Sequence, residues 1–141
     1  MQSGQAYFII NKKSGTAFDL SGQDQRSIIG FNLHRGENQK WRFVQQDGGW
    51  TIQNLYNGKY LDVDIPNTFT DGVRVIAIDT NNPRRWDVRR DQQDVNGWRI
   101  VIPGTNQNVD LSDNGNPNPG TPVTLWDQWN GENQVWRLEQ A

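Results

Sequence analysis

The sequence predicts an all-β fold built from three copies of one unit of about four strands. A hexapeptide, Gly-Glu-Asn-Gln-Lys-Trp at residues 36–41, returns at residues 131–136 with five of its six residues unchanged. Its tryptophan alone recurs between them, at Trp86, so the tryptophan is repeated about every 45 to 50 residues. A fixed period of this length is the signature of a repeat architecture. No stretch shows sustained helical periodicity, which leaves short strands as the repeated elements.

The first half of each unit is predicted to be a pair of strands joined by a turn. An aromatic residue stands two positions before an isoleucine, which places both side chains on one face of a strand. A turn residue follows six positions after the isoleucine, and an aspartate four positions later. The three sets are Tyr7, Ile9, Gly15 and Asp19; Trp50, Ile52, Gly58 and Asp62; and Trp98, Ile100, Asn106 and Asp110. Each aspartate lies between two apolar residues, so a strand there buries its neighbours and points the carboxylate outward.

The second half of each unit begins with a loop rich in Gly, Asn, Asp and Pro, longest at residues 112–122. An apolar strand follows, and the unit closes with tryptophan and an apolar residue two positions later. The predicted third strands are residues 28–33, 73–78 and 123–126, and the units span approximately residues 5–44, 50–88 and 98–139.

Three four-stranded units are too few for a usual propeller, which typically has at least about four blades. Wrapped around a pseudo-threefold axis they can instead close a barrel, which removes exposed strand edges. The prediction is a β-trefoil, a single domain over residues 1–141.

Composition argues against several classes of function. The net charge is −2, and no broad basic surface suited to nucleic acid is evident. The sequence has no cysteine, no apolar run long enough for a signal sequence or a membrane span, and no metal-ligand or catalytic motif. We therefore expect no enzyme, no cofactor, no metal, no membrane insertion and a cytoplasmic location. Mean hydropathy is low, at −0.87, but seven tryptophans argue against disorder.

The repeated pattern of an aspartate, an apolar strand and Asn-Gln-x-Trp resembles the ricin B-type lectin family over essentially the whole chain. Its Gln-x-Trp signature stands at residues 39–41 and 134–136, and residues 34–41 look most like the small cysteine-free lectins of mushrooms. The resemblance implies a twelve-stranded β-trefoil that binds glycans in shallow pockets without a metal. It also implies galactose or N-acetylgalactosamine, including N-acetyllactosamine-type termini, as ligand, and a role in fungal defence.

The residue types in two repeats suit a pyranose. A carboxylate can accept hydrogen bonds from adjacent hydroxyls, an amide can donate and accept, and an aromatic ring can cover the C–H face. The first repeat, which we favour, offers Asp19, Phe31, His34, Gly36, Asn38 and Gln39. The third offers Asp110, Trp126, Trp129, Asn133 and Gln134. For the two glutamines a second role stays open, in which they orient the asparagine or bond buried backbone.

In the second repeat the asparagine has become Pro83, which has no amide side chain, so we predict that this pocket does not bind. Residues 114–119, within the long loop of the third repeat, could either wall the third pocket or cover it. Expected partners are glycans on cell surfaces, with avidity from two pockets or from a homodimer. The alternative function is a β-trefoil protease inhibitor acting through the loops at residues 66–71 or 114–122.

Overall fold

A computed structural model describes all residues, 1–141, and confirms the predicted β-trefoil. Twelve strands follow one another, with 3₁₀ turns at Glu37–Gln39 and Glu132–Gln134 and, in the third repeat, a short helical turn at Ser112–Gly115 in which Asp113 and Asn114 have left-handed backbone angles. They are β1 (Ala6–Asn11), β2 (Ala17–Leu20), β3 (Ile28–Phe31), β4 (Trp41–Gln46), β5 (Gly49–Asn54), β6 (Tyr60–Val63), β7 (Val75–Ile78), β8 (Asp87–Arg90), β9 (Trp98–Val101), β10 (Gln107–Leu111), β11 (Thr121–Asp127) and β12 (Trp136–Gln140).

Six of the strands close a barrel. Antiparallel pairing runs from β1 to β4, β5, β8, β9 and β12 and returns to β1. The link between β5 and β8 is a single bridge, in which Trp50 and Trp86 exchange backbone hydrogen bonds of 2.9 and 2.8 Å. Because the ring is complete, none of these strands presents a free edge.

The other six strands form three hairpins that cover one end of the barrel. They are β2–β3, β6–β7 and β10–β11. The hairpins meet one another pairwise around the axis, through the bridges of Ile29 with Pro122, Ser27 with Ile76, and Arg74 with Thr124. Each hairpin carries one of the repeated aspartates on its first strand, so the threefold arrangement places three equivalent sites around this cap.

The core fills the barrel and the underside of the cap. Its 22 buried residues include the predicted isoleucines and the three repeated tryptophans, which are at most 1% exposed. Phe18 packs edge-on against Trp41 and Trp136, with ring centroids 5.5 and 5.1 Å apart. Edge-to-face pairs of this kind stabilise beyond the area they bury, by about 0.5–1.5 kcal/mol each.

One local expectation from the sequence needs correction, and one turn differs in detail. Asn106 lies in the turn of the third repeat as expected, but the left-handed residue there is Gly104, with φ 77°; the first two repeats have Gly15 and Gly58 in that conformation. In addition, Asp19 and Asp110 do not point freely outward, since they are only 3% and 4% exposed. Each carboxylate lies at the bottom of a surface cleft, where the buried glutamine of its own repeat contacts it.

Candidate glycan-binding sites

A repeated hydrogen bond fixes each aspartate relative to the core. The indole N–H of Trp41 donates to the carbonyl of Phe18, the residue before Asp19, over 3.1 Å. Trp86 and Trp136 make the same bond to Leu61 and Val109, again at 3.1 Å. A buried indole N–H requires an acceptor. The tryptophan thereby positions the pocket as well as filling the core.

In the first repeat, Gln39 is fully buried beneath the pocket. Its Nε2 donates to Asp19 Oδ2 at 2.8 Å and to a backbone carbonyl, while its Oε1 accepts the amide of His34 at 3.0 Å. Gln134 repeats this pattern, donating to Asp110 Oδ2 at 2.9 Å and accepting the amide of Trp129 at 3.0 Å. Both glutamines therefore orient the aspartate and the aromatic loop, which agrees with the orienting role left open from the sequence; a direct contact with ligand stays a prediction.

The asparagines are partly committed to the fold. Asn38 Nδ2 donates to the carbonyl of Leu20 at 3.1 Å, and Asn133 Nδ2 donates to that of Leu111 at 3.2 Å. The Oδ1 of Asn133 is buried without a protein partner, although its residue lines the third pocket. A buried acceptor left without a donor is costly. A ligand hydroxyl is the kind of group that would satisfy it.

The first pocket brings together Asp19, Phe31, His34 and Asn38 in a cleft of about 490 Å³. The ring of His34 meets Phe31 edge-on, with centroids 6.0 Å apart, and its Nε2 lies 3.5 Å from Asp19 Oδ2. The amide of Gly36 donates to His34 Nδ1 at 3.0 Å. This bond makes Nδ1 an acceptor and leaves the N–H at Nε2, facing the carboxylate.

Gly36 supports the pocket from beneath rather than from its surface. A Cβ at this position would lie 2.7 Å from His34 Cε1, so only glycine lets the ring rest on the backbone. Gly131 has the same relation to Trp129, whose ring a Cβ would overlap. The glycines of the repeated hexapeptide are thus required by the aromatic platforms above them.

The third pocket has a volume of about 340 Å³ and holds Asp110, Trp126, Trp129 and Asn133. The two tryptophans are 44% and 50% exposed, which is unusual for so large an apolar ring and leaves both available for stacking. The helical turn at Ser112–Gly115 forms one side of the cleft through Ser112, Asp113 and Asn114. The long loop therefore walls the pocket, one of the two arrangements considered from the sequence.

The two aspartates have raised pKa values for the same main reason. Burial raises the pKa of Asp19. The hydrogen bond from Gln39 and the nearby His34 lower it, but burial has the larger effect. Burial raises the pKa of Asp110 to about 6, against hydrogen bonds from Gln134 and Asn133, and the charge of Asp71 raises it further. The third pocket lacks a counterpart to the imidazole beside Asp19, because its platform is a tryptophan.

A buried arginine, Arg99, supports the third pocket and was missed in the sequence. It is 4% exposed and donates to Asp91 Oδ1 at 2.8 Å, to Gln134 Oε1 at 3.0 Å, and to the carbonyl of Trp129 at 3.0 Å. Burial alone would raise the pKa of Asp91, but hydrogen bonds from Arg99 and from backbone amides lower it overall. An arginine between Trp98 and Ile100 on an otherwise buried strand was the available signal.

The second repeat keeps Asp62 but pairs it internally. Arg84, at the position equivalent to Gln39, donates to Asp62 Oδ1 at 2.7 Å and lies over the ring of Phe69 at 5.1 Å. Pro83 stands where the other repeats have asparagine. An acceptor that already faces a guanidinium is poorly placed for hydroxyls, which supports the prediction that this pocket does not bind.

The first pocket also contains side chains from outside its own repeat. Arg74, from the second repeat, and Gly120, from the third, line the same cleft as Asp19. The spacing of residues within one repeat could not have predicted them.

No helix in the structure has the length and apolar character needed to cross a membrane, and no cluster of three or more His, Asp or Glu side chains is arranged to hold a metal ion.

Comparison with known proteins agrees with this architecture. The family model described as ricin-type β-trefoil lectin domain-like matches residues 1–78 and 37–126. A ricin B-like lectin of Macrolepiota procera, solved in complex with lactose, is 42% identical, with a TM-score of 0.94 over 100% of this chain and 99% of that one. A comparison with curated proteins gave no match.

Two further structures share the fold at lower identity. ThreeFoil, a designed threefold-symmetric protein, is 25% identical with a TM-score of 0.85, covering 96% of this chain and 99% of its own. The Rhizoctonia solani agglutinin is 24% identical with a TM-score of 0.85, covering 100% and 98%. Together with the matched family model and the repeated pocket geometry, these comparisons show that the chain belongs to the ricin B-like β-trefoil lectins, a family of carbohydrate-binding proteins.

Proposed function

We propose that the protein binds galactose- and N-acetylgalactosamine-containing glycans, without catalysis, through its first and third pockets. One observation carries this proposal. In both pockets the buried glutamine donates to Oδ2 of the aspartate, and the aspartate lines an open cleft beside an aromatic side chain that is exposed to solvent. A carboxylate fixed in this way, beside an exposed aromatic ring, is suited to a pair of sugar hydroxyls.

The choice of galactose rests on stereochemistry and on similarity. An axial 4-hydroxyl lies close to the 3-hydroxyl on one side of the ring, so a single carboxylate can reach both. The lectin of Macrolepiota procera, similar over the whole chain, was solved with lactose, which ends in galactose. Asp19 and Asp110 are the residues to which we assign this contact.

Binding of one monosaccharide is expected to be weak. A ligand of about a dozen heavy atoms, at roughly 0.3 to 0.4 kcal/mol per atom, gains about 4 to 5 kcal/mol, which corresponds to a Kd near 1 mM. Two pockets on one chain, or a homodimer, would raise the apparent affinity for a surface that displays many glycans. Glycoconjugates on cell surfaces are therefore the proposed targets, consistent with a role in fungal defence.

Glycan-array binding by the wild type and by Asp19→Asn, Asp110→Asn and the double variant tests the assignment. Removing a charged acceptor of hydroxyl hydrogen bonds costs about 1.5–3 kcal/mol, so each single variant should weaken its pocket by about 10- to 150-fold. Asp62→Asn is the matched control, because Arg84 already occupies that carboxylate. Unchanged binding in the double variant would show that the sites lie elsewhere.

Agglutination with and without lactose separates this function from the protease-inhibitor alternative. A lectin should agglutinate glycosylated cells and release them on addition of lactose. Absence of agglutination, together with inhibition of a serine or cysteine protease, would favour the inhibitor instead.

A further inference from the structure

The cleft of the first repeat continues past Asp19 to Arg74. This arginine directly precedes β7, and its backbone is fixed by the bridge to Thr124 and by the amide of Asp64, which donates to its carbonyl at 2.9 Å. The cleft encloses about 490 Å³, compared with about 340 Å³ in the third repeat. It is therefore large enough to take more than the one sugar unit that Asp19 would hold.

The guanidinium of Arg74 has no partner in the protein. It forms no ion pair and donates no hydrogen bond, and its Nε is buried without an acceptor. Nearby carboxylates are engaged elsewhere: Asp64 pairs with Arg26 at 3.0 Å, and Asp24 accepts hydrogen bonds from Ser27 and from the amide of Arg26. A partly buried guanidinium without an acceptor favours an anionic ligand group.

The lining of the third pocket is more negatively charged than that of the first, which has Arg74 beside Asp19 and Asp24. Asp110 and Asp113 both line the third pocket, and no arginine, lysine or histidine does. A negatively charged ligand would be repelled there, whereas a neutral galactoside would not. The two pockets offer similar contacts to a neutral sugar, but only the first has an arginine that could bind an anionic group on the ligand.

We propose that the first pocket has an anionic subsite, in which Arg74 binds a sulfate or carboxylate group attached to the galactoside held by Asp19. The proposal rests on the function proposed above. Guanidinium groups bind both anions through paired N–H donors, so sulfated and sialylated galactosides are the two sources of this chemistry. Asp24 lines the same cleft and is negatively charged, because hydrogen bonds from Ser27 lower its pKa to about 2. The gain in affinity of an anionic ligand over lactose should therefore be modest, and it should depend on direct contact with Arg74.

Calorimetric titration of the full chain with lactose, lactose sulfated on its galactose, and sialyllactose provides the test. We expect at least one anionic ligand to bind about 3- to 10-fold tighter than lactose at low salt, with the advantage falling as salt rises. Arg74→Gln should remove this advantage, measured as the ratio of the affinities for the anionic ligand and for lactose within the same variant. Arg42→Gln, an equal charge change at an exposed position on β4, should retain it.

The outcomes separate the possibilities. A gain for the sulfated ligand alone identifies sulfate as the preferred group, and a gain for sialyllactose alone identifies the carboxylate. The inference is overturned if neither anion exceeds lactose, or if the advantage survives Arg74→Gln. If lactose binding is absent, or is unaffected by the double variant at Asp19 and Asp110, the proposed function itself fails and the subsite with it.

Discussion

The first and third pockets have the same frame but different surroundings. In each, a buried tryptophan fixes the strand, a buried glutamine holds one carboxylate oxygen, and a glycine allows an aromatic ring to rest on the backbone. The first pocket places an imidazole beside its carboxylate, whereas the third encloses its carboxylate with two tryptophans. The repeat therefore keeps the geometry of the acceptor, and we predict that differences in affinity and pH response between the pockets come from residues that are not repeated.

Removing Arg99 should give the largest difference between the pockets. Arg99→Met leaves Asp91 buried without its partner, which typically costs about 3–5 kcal/mol of folding stability. It also frees Gln134 and the carbonyl of Trp129, so galactoside binding at the third pocket should fall at least tenfold while the first is unchanged. Chemical denaturation and titration of the Asp19→Asn background measure the two effects.

A double variant distinguishes positioning from stability. Arg99→Met with Asp91→Leu removes the unpaired charge and should recover much of the stability, but the third pocket should stay weak. Recovery of full binding in the double variant would mean that Arg99 acts on folding alone.

Acidification should weaken the third pocket. The pKa of Asp110 is raised to about 6, so the carboxylate predominates at pH 7 and about nine-tenths is protonated at pH 5. If the ionised form accepts the hydroxyls, affinity in the Asp19→Asn background should fall about tenfold between pH 7 and pH 5. Galactoside titrations of this variant between pH 7 and pH 5 measure the change in affinity. An affinity that stays constant over this range would show that the ionised form is not required.

Most of the fold was predictable from the sequence, because its signals are local and repeated. The tryptophans, the isoleucines and the aspartates recur at nearly constant spacing. This spacing predicts which of them are buried and on which strand of the repeat each one lies. The turn between β9 and β10 departs from this spacing, because its left-handed residue, Gly104, lies two positions earlier in the repeat than Gly15 and Gly58 do in theirs.

The sites were predictable only where their residues belong to the repeat. Asp19, His34 and Asn38 lie together as the spacing suggested, and so do Asp110, Trp129 and Asn133. Arg74 reaches the first pocket from another repeat, and no spacing within one unit encodes that contact. Whether these residues bind sugar remains a prediction for the variants above.

Substituting Gly36 or Gly131, the glycines beneath the rings of His34 and Trp129, should weaken binding moderately. Gly131→Ala forces the ring of Trp129 off the backbone, and Gly36→Ala does the same to His34 at a contact of 2.7 Å. Overpacking of this kind costs about 1–3 kcal/mol, which we expect chiefly as weaker binding because both rings are exposed and can move. Titration of each variant should show a loss of affinity of about 5- to 150-fold, confined to its own pocket.

Restoring the second pocket should produce the smallest change. Arg84→Gln removes the guanidinium that occupies Asp62 and supplies the amide found in the other repeats, and Pro83→Asn adds the missing side chain. The position equivalent to His34 and Trp129 is Asp79, so no stacking ring is gained. In the Asp19→Asn, Asp110→Asn background, the combined variant should therefore bind galactosides detectably but at least tenfold more weakly than the first pocket. No binding by NMR titration would mean that the ring, rather than the freed carboxylate, decides whether a repeat is active.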